Sequence, residues 1–163
     1  MAMRRKANGG DAGANGQAVD FSLGGSIGYL VRDANRAFQR LLEKRIAPHG
    51  VTRGQWYFLR VLWAEDGLSQ RELSARVGMM EPTTVIALRG MEKVGLVRRK
   101  RSATDKRVTK VYLTAKSRRL RDRLLQVSQG VNDQGVEGIT EAELARLRRL
   151  LVRMTRNLDR VER

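Results

Sequence analysis

A mainly α-helical fold carrying one small β-hairpin is the fold class this sequence predicts, and three observations predict it. Apolar residues recur at helical spacing in six separate segments. Three of those segments open on a capping box, the reciprocal pairing of side chain and backbone N–H that starts a helix. Between the fourth and fifth, two short runs flank a polar turn, and in the second run apolar and polar residues alternate as a half-buried strand requires.

Residues 1 to 20 are rich in Gly, Ala and Asn and offer almost nothing to bury, so a mobile arm is expected there. From about Ser26 to Ala47, Ile27, Leu30, Val31, Ala34, Phe38, Leu41, Leu42 and Ile46 form the apolar face of a long first helix, ended by Pro48, His49 and Gly50. Thr52 and Gln55 cap a second helix whose sequence QWYFLRVLWA is apolar nearly all round and therefore belongs inside. Ser69 and Glu72 cap a third, which turns Leu73 and Val77 inward and stops at Gly78; Pro82 suits the first turn of a fourth, with Val85, Leu88 and Met91 toward the core. Leu96 to Arg101 and Val108 to Leu113 read as strands. A fifth helix runs from Thr114 to about Gly135, and a sixth, capped by Thr140 and Glu143, carries Leu144, Leu147, Leu150, Leu151, Met154 and Leu158 as one stripe. The expected division is an arm (1–20), an N-terminal dimerisation helix (21–50), a winged helix-turn-helix (51–114) and C-terminal dimerisation helices (115–163).

Composition narrows the function. A net charge of +16 and a pI near 11.4 attract polyanions and make affinity salt-dependent through counterion release. The chain has no cysteine and one histidine, His49, which leaves no thiolate metal site or redox sensor and little for a catalytic relay. With no glycine-rich phosphate loop and no nucleophile beside a base, an enzyme is not expected, nor a cofactor. No secretory signal or membrane-spanning run is visible, so a cytoplasmic, nucleoid-associated protein with no membrane partner is expected.

The stretch from Leu68 to Thr114 has the outline of a winged helix-turn-helix, whose second helix fits the major groove of B-DNA while a basic wing reaches backbone or minor groove. At the front of the fourth helix, Thr83 and Thr84 either meet bases or merely help cap the helix; Ala87 and Arg89 continue along the exposed side. Threonine and alanine methyls pack on thymine, and arginine pairs with guanine. Ser69, Gln70 and Arg71 at the start of the third helix suit phosphate. In the hairpin, Arg98, Arg99, Arg101, Lys106 and Arg107 form a basic cluster in which Asp105 is expected to hold the Arg107 side chain for a narrow minor groove. Long amphipathic helices on both flanks suit a homodimer reading a pseudo-palindromic, double-stranded operator.

These residues resemble the MarR family of bacterial transcriptional regulators. The resemblance rests on the order of elements, on LSQRELSARVG followed by the threonine-bearing helix, on MEKVGLVRR, and on the wing DKRVTKVYLT with its Asp-x-Arg and closing Leu-Thr, and it spans roughly residues 26 to 160. It implies a homodimer built from the terminal helices, major-groove reading by the fourth helix, minor-groove contact by the wing arginine, and repression relieved by a small, often aromatic, anion.

In similar proteins effectors sit between the dimer helices and the winged module, which here points to Tyr29, Arg32, Arg36, Trp56, Arg60 and Trp63. An arginine beside indoles can hold an aromatic acid or an acyl- or aryl-coenzyme A thioester; the same aromatics serve equally well as ordinary core. An RNA-binding module or a non-specific nucleoid protein also fits the charge, but single-strand readers display exposed aromatics, and the basic hairpin holds only Tyr112.

Overall fold

The computed structural model describes residues 23–161, so the expected arm at 1–20 lies outside the described residues. The chain divides between Ala34 and Asn35, inside the first helix rather than after it. In the first unit, a 3-10 turn at Leu23–Gly25 precedes the opening turns of α1 (Ile27–Ile46), where the Ser26 hydroxyl accepts from the Tyr29 backbone N–H.

The second unit contains the remainder of α1, a 3-10 turn (Ala47–His49), α2 (Arg53–Ala64), α3 (Gln70–Val77), α4 (Glu81–Lys93), β1 (Val97–Arg101), β2 (Thr109–Leu113), α5 (Ala115–Gly135) and α6 (Glu141–Val161). The three capping boxes form as expected: Thr52 with Gln55, Ser69 with Glu72, and Thr140 with Glu143. A fourth, Thr114 with Ser117, starts α5; both partners there are short hydroxyls, so the Glu/Gln signature of the motif is absent from the sequence. Glycines at φ +71° and +73°, Gly78 and Gly95, close α3 and the turn after α4, where a side chain would be strained.

The core lies where α2 is surrounded. Trp56, Phe58, Leu59 and Leu62 of α2 pack with Leu42 and Ile46 of α1, Leu73 of α3, Leu88 and Met91 of α4, Val97, Val111 and Leu113 of the hairpin, and Leu124 and Val131 of α5. α2 is buried over a broad face but not all round as its sequence predicts: Tyr57, at 37% exposure, and Arg60 stay at the surface.

The hairpin is antiparallel, pairing Val97 with Leu113 and Arg101 with Thr109. It is tied to the helices at its base. Asp66 accepts from the backbone N–H of Leu113 (2.8 Å) and of Gly67 (3.0 Å) and pairs with Arg118 at 2.6 Å, so one carboxylate joins the end of α2, the wing and α5. Beside it, Gly67 donates to Val111 O while Val111 donates to Leu68 O, adding a short third partner along β2. Gly67 has φ +80°, and a Cβ there would come within 2.8 Å of the Tyr112 ring, so both backbone and space demand glycine.

Candidate nucleic-acid interface

The turn between α3 and α4 sets how α4 is presented. The Ser74 hydroxyl donates to the Met79 carbonyl and accepts from the Thr84 hydroxyl at 3.2 Å, and both residues are buried. Thr84, Leu88 and Met91 then share one inward face, all at 0% exposure. Counted at about 100° per residue, Pro82, Thr83, Ile86, Arg89, Gly90 and Lys93 fall on the opposite side, and each is exposed.

This corrects the expectation for Thr84. It makes no surface available to DNA: it is fully buried, and its own hydroxyl donates to Ser74 in the interior, where an unpaired polar group is costly. Thr83 and Arg89 do lie on the outward face, and Ala87 sits at its margin, partly buried against the core. Ile86, which sequence reasoning passed over, is 70% exposed in the middle of α4. The signal was present: once Leu88 and Met91 are inward, Ile86 falls outside their stripe.

At the start of α3, Ser69 and Glu72 occupy each other. The Ser69 hydroxyl accepts from Glu72 N at 3.2 Å and Ser69 N donates to Glu72 Oε2 at 2.8 Å. The backbone N–H of Ser69, then its hydroxyl, hold the Glu72 carboxyl below its ordinary value. The Ser69 side chain is thus committed to the cap. Arg71 remains exposed, with only a long 3.8 Å approach to Glu81.

The wing separates its arginines into two kinds. Arg99 is bound by Glu92 through its backbone N–H (3.0 Å), Nε (3.0 Å) and a terminal nitrogen (2.7 Å), a charge-assisted clamp between the end of α4 and β1. The backbone bond, then the guanidinium, draw the Glu92 carboxyl below its ordinary value. Arg99 is therefore corrected from a DNA contact to a structural residue. Arg101 donates to the Lys106 carbonyl at 3.3 Å across the wing tip, and Arg98 lies 5.8 Å over the Tyr112 ring.

Asp105 also acts differently from expectation. Its carboxylate accepts from the Arg107 backbone N–H at 2.9 Å, not from the guanidinium. Ser102 braces the same turn, accepting from the N–H groups of Thr104 and Asp105. The backbone of the tip is fixed, and the exposed Lys106 and Arg107 side chains project from it. Arg107 and Arg71 line one open cleft, joined by Ser69, Gln70 and Glu81. The fold thereby gathers the wing tip and the front ends of α3 and α4.

Of the expected effector residues, Trp56 is 3% exposed and belongs to the core, meeting Trp63 edge to face at 5.8 Å. Arg60 lies 5.6 Å over the Trp56 ring, and Trp63 Nε1 donates to the Ser117 carbonyl at 3.1 Å. Arg36 is exposed on α1. In the first unit, Arg32 lies 5.0 Å over Tyr29. Sequence reasoning missed Arg118 and Arg121, which line an open cleft with Trp63, Asp66 and Leu113 at the base of the wing. Among the described residues no three His, Asp or Glu side chains gather to hold a metal, and no helix is long and apolar enough to cross a membrane.

A family model described as MarR family matches residues 49–108. The HTH-type transcriptional regulator TtmR of Methylorubrum extorquens is 35% identical over 103 residues, 63% of this chain. The chain spans about half of that relative, 53%. A MarR-family transcriptional regulator from Silicibacter pomeroyi is 30% identical, with 83% of this chain and 92% of that one covered at a TM-score of 0.70. The chain belongs to the MarR family of transcriptional regulators. Within the family, the repressor CouR, solved bound to a 23-mer DNA duplex, is 26% identical and covers 82% of this chain and 94% of its own at a TM-score of 0.75. The winged helix-turn-helix of this MarR-family chain is the assembly of α3, α4, β1 and β2 described above.

Burial of Thr84 changes what its mutation does. Thr84→Ala is expected to lower stability by about 1–3 kcal/mol, through loss of the buried Thr84–Ser74 hydrogen bond and the vacated methyl. Sequence preference in a random-duplex selection is expected to stay the same; a changed motif would return Thr84 to the reading surface.

Proposed function

We propose that this protein is a homodimeric regulator that binds a pseudo-palindromic operator in double-stranded DNA, represses transcription there, and is released by a small aromatic anion. Its site of action is then the nucleoid. In this reading α4 lies in the major groove and the wing reaches the adjacent minor groove. Thr83 and Arg89 meet base edges; Arg71 and Lys106 meet phosphate; Arg98 and Arg101 flank the duplex; Arg107 enters the minor groove.

The observation that carries this reading is the use of acid at the wing. Three carboxylates that touch the basic hairpin are already engaged: Glu92 with Arg99, Asp105 with the Arg107 backbone N–H, and Asp66 with the Leu113 N–H and Arg118. Lys100 is paired across the hairpin with Lys110, an arrangement of like charges that costs stability. A polyanion relieves that repulsion. Arg107→Ala is expected to weaken operator binding by about 1–3 kcal/mol and make the logarithmic salt dependence shallower by about one unit, with the dimer still folded. Unchanged affinity and slope would remove the wing from the interface, and equal competition by duplex RNA would favour an RNA reader.

Dimerisation is supported by α6. Leu147, Leu151 and Leu158 leave a continuous apolar stripe exposed along it, Leu158 at 68%. A stripe of that kind marks an interface, and Ile27, Leu30 and Val31 on α1 are exposed as well. The protein should sediment as a dimer, and Leu151→Glu should convert it to a monomer with much weakened operator binding; a monomeric parent protein would refute the stripe's role.

The effector reading moves from the Trp56 face to the cleft walled by Trp63, with Arg121 as the anchoring cation because Arg118 is paired to Asp66. Titrating aromatic carboxylates and their coenzyme A thioesters into the protein–operator complex should release DNA with at least one class. Arg121→Ala should abolish the release while operator affinity stays. If neither class releases at millimolar concentration, the effector reading fails.

A further inference from the structure

We infer that Ile86 and Gly90 form a methyl-reading pair on α4, with Ile86 packing on the 5-methyl group of a thymine in each half-site and Gly90 letting the helix approach the groove floor. The inference rests on the proposed binding of duplex DNA by α4 and goes further by naming the residue that discriminates and the atom it discriminates by.

A single exposed isoleucine is ordinary on a protein surface. Three features set Ile86 apart. First, at about 100° per residue the exposed residues of α4 from Pro82 onward span an arc of roughly 120°, and Ile86 stands at its middle, nearly opposite Thr84, Leu88 and Met91. At 70% exposure it faces whatever this side of α4 docks against. Second, of the side chains of that arc able to hydrogen-bond, Thr83 and Arg89 lie to its flanks, and Lys93 follows about two turns further along the helix. Its central element is apolar and β-branched, a type that helix propensity does not favour at an exposed position.

Third, Gly90 follows one turn later on the same face. A Cβ built there meets nothing within 4 Å, so packing within the chain does not call for glycine. A glycine inside a helix costs stability relative to alanine. Its placement on the outward arc, with no intramolecular reason, is explained by close approach of another surface. The major-groove floor has one apolar feature to offer an isoleucine, the thymine 5-methyl; hydrogen-bonding edges around it would be desolvated without a partner unless Thr83 and Arg89 supply them.

The test begins with selection of a bound site from random duplex DNA by the full chain. Failure to enrich any motif would overturn the proposed DNA reading, and this inference with it. With a motif in hand, each thymine is replaced singly by uracil, which removes the methyl group and leaves every hydrogen-bonding atom. One symmetry-related pair of positions should lose about fourfold in affinity per thymine, the worth of one buried methyl group. In Ile86→Ala, which alters only an exposed side chain, the same replacement should have no further effect. If no thymine shows methyl dependence, or if the dependence persists undiminished in Ile86→Ala, the inference falls while the DNA reading stands. Gly90→Ala supplies an independent check with opposed signs: its melting temperature should rise and its operator affinity fall. Affinity that is unchanged or improved would remove Gly90 from the pair.

Discussion

A helix with about 3.6 residues per turn cannot bury Thr84, Leu88 and Met91 without turning Ile86 outward. That rotational constraint governs the rest of the candidate interface. Leu88 and Met91 supply the hydrophobic part of it, joining Leu59, Leu62 and Leu73 in the core. Thr84 adds the directional part, since its hydroxyl has one partner, Ser74, and would be orphaned in the interior by a small rotation of α4. Ser74 in turn is bound to the carbonyl of Met79, in the turn between the two helices. A short polar chain from turn to Ser74 to Thr84 therefore fixes the azimuth of the helix, where apolar contacts alone tolerate repacking.

The same economy appears in the wing. A hairpin of two five-residue strands is marginal by itself, so its position depends on what anchors it. Two carboxylates do most of that. Glu92 takes Arg99 at the α4 end, and Asp66 takes the Leu113 backbone and Arg118 at the α5 end. Glu92 joins two consecutive elements, and Asp66 joins elements far apart in sequence. In a chain with 33 basic and 17 acidic residues, the placement of the acids decides which arginines are structural and which are left outward. Basic residues in the hairpin are thus not equivalent: Arg99 is held, Arg101 spans the tip, and Arg107 projects from a turn whose backbone is already satisfied.

Much of this was legible in the sequence. Helical periodicity gave all six helices, and the capping boxes gave the starts of α2, α3 and α6, because both signals are local. The alternation of Val111 and Leu113 with Lys110 and Tyr112 gave the inner face of β2 for the same reason. What was not legible depended on pairs that lie in different elements or on a hydroxyl's choice of partner. Thr84 reads as an exposed helix-front residue until Ser74, ten positions earlier, claims it. Arg99 reads as one more basic wing residue until Glu92 claims it. Asp105 reads as the holder of the Arg107 side chain and instead bonds the Arg107 backbone N–H, because a two-residue separation serves a backbone N–H as readily as a guanidinium. The Trp56 and Trp63 spacing was consistent with a core or a site, and burial favours the core for Trp56.

Asp66 is where an input and an output would have to meet. The cleft walled by Trp63 is lined by Leu113 at the foot of β2 and by Arg118 of α5, and the Asp66 carboxylate bonds both of those residues. A ligand shifts an equilibrium only by its differential affinity for the two states. An anion anchored by Arg121 in that cleft would lie beside Arg118 and compete in part with Asp66 for its guanidinium, so some of its binding energy would be coupled to the bond that fixes the wing to α5. To move the population from mostly bound to mostly released takes roughly 10⁴-fold preference, about 5.5 kcal/mol. One exposed ion pair is worth far less than that. Loosening the Asp66–Arg118 pair therefore would not by itself account for the release proposed above. The remainder has to come from a contact made in only one state, and the foot of β2 at Leu113, whose displacement would carry the wing tip with it, is the element of the cleft able to supply one.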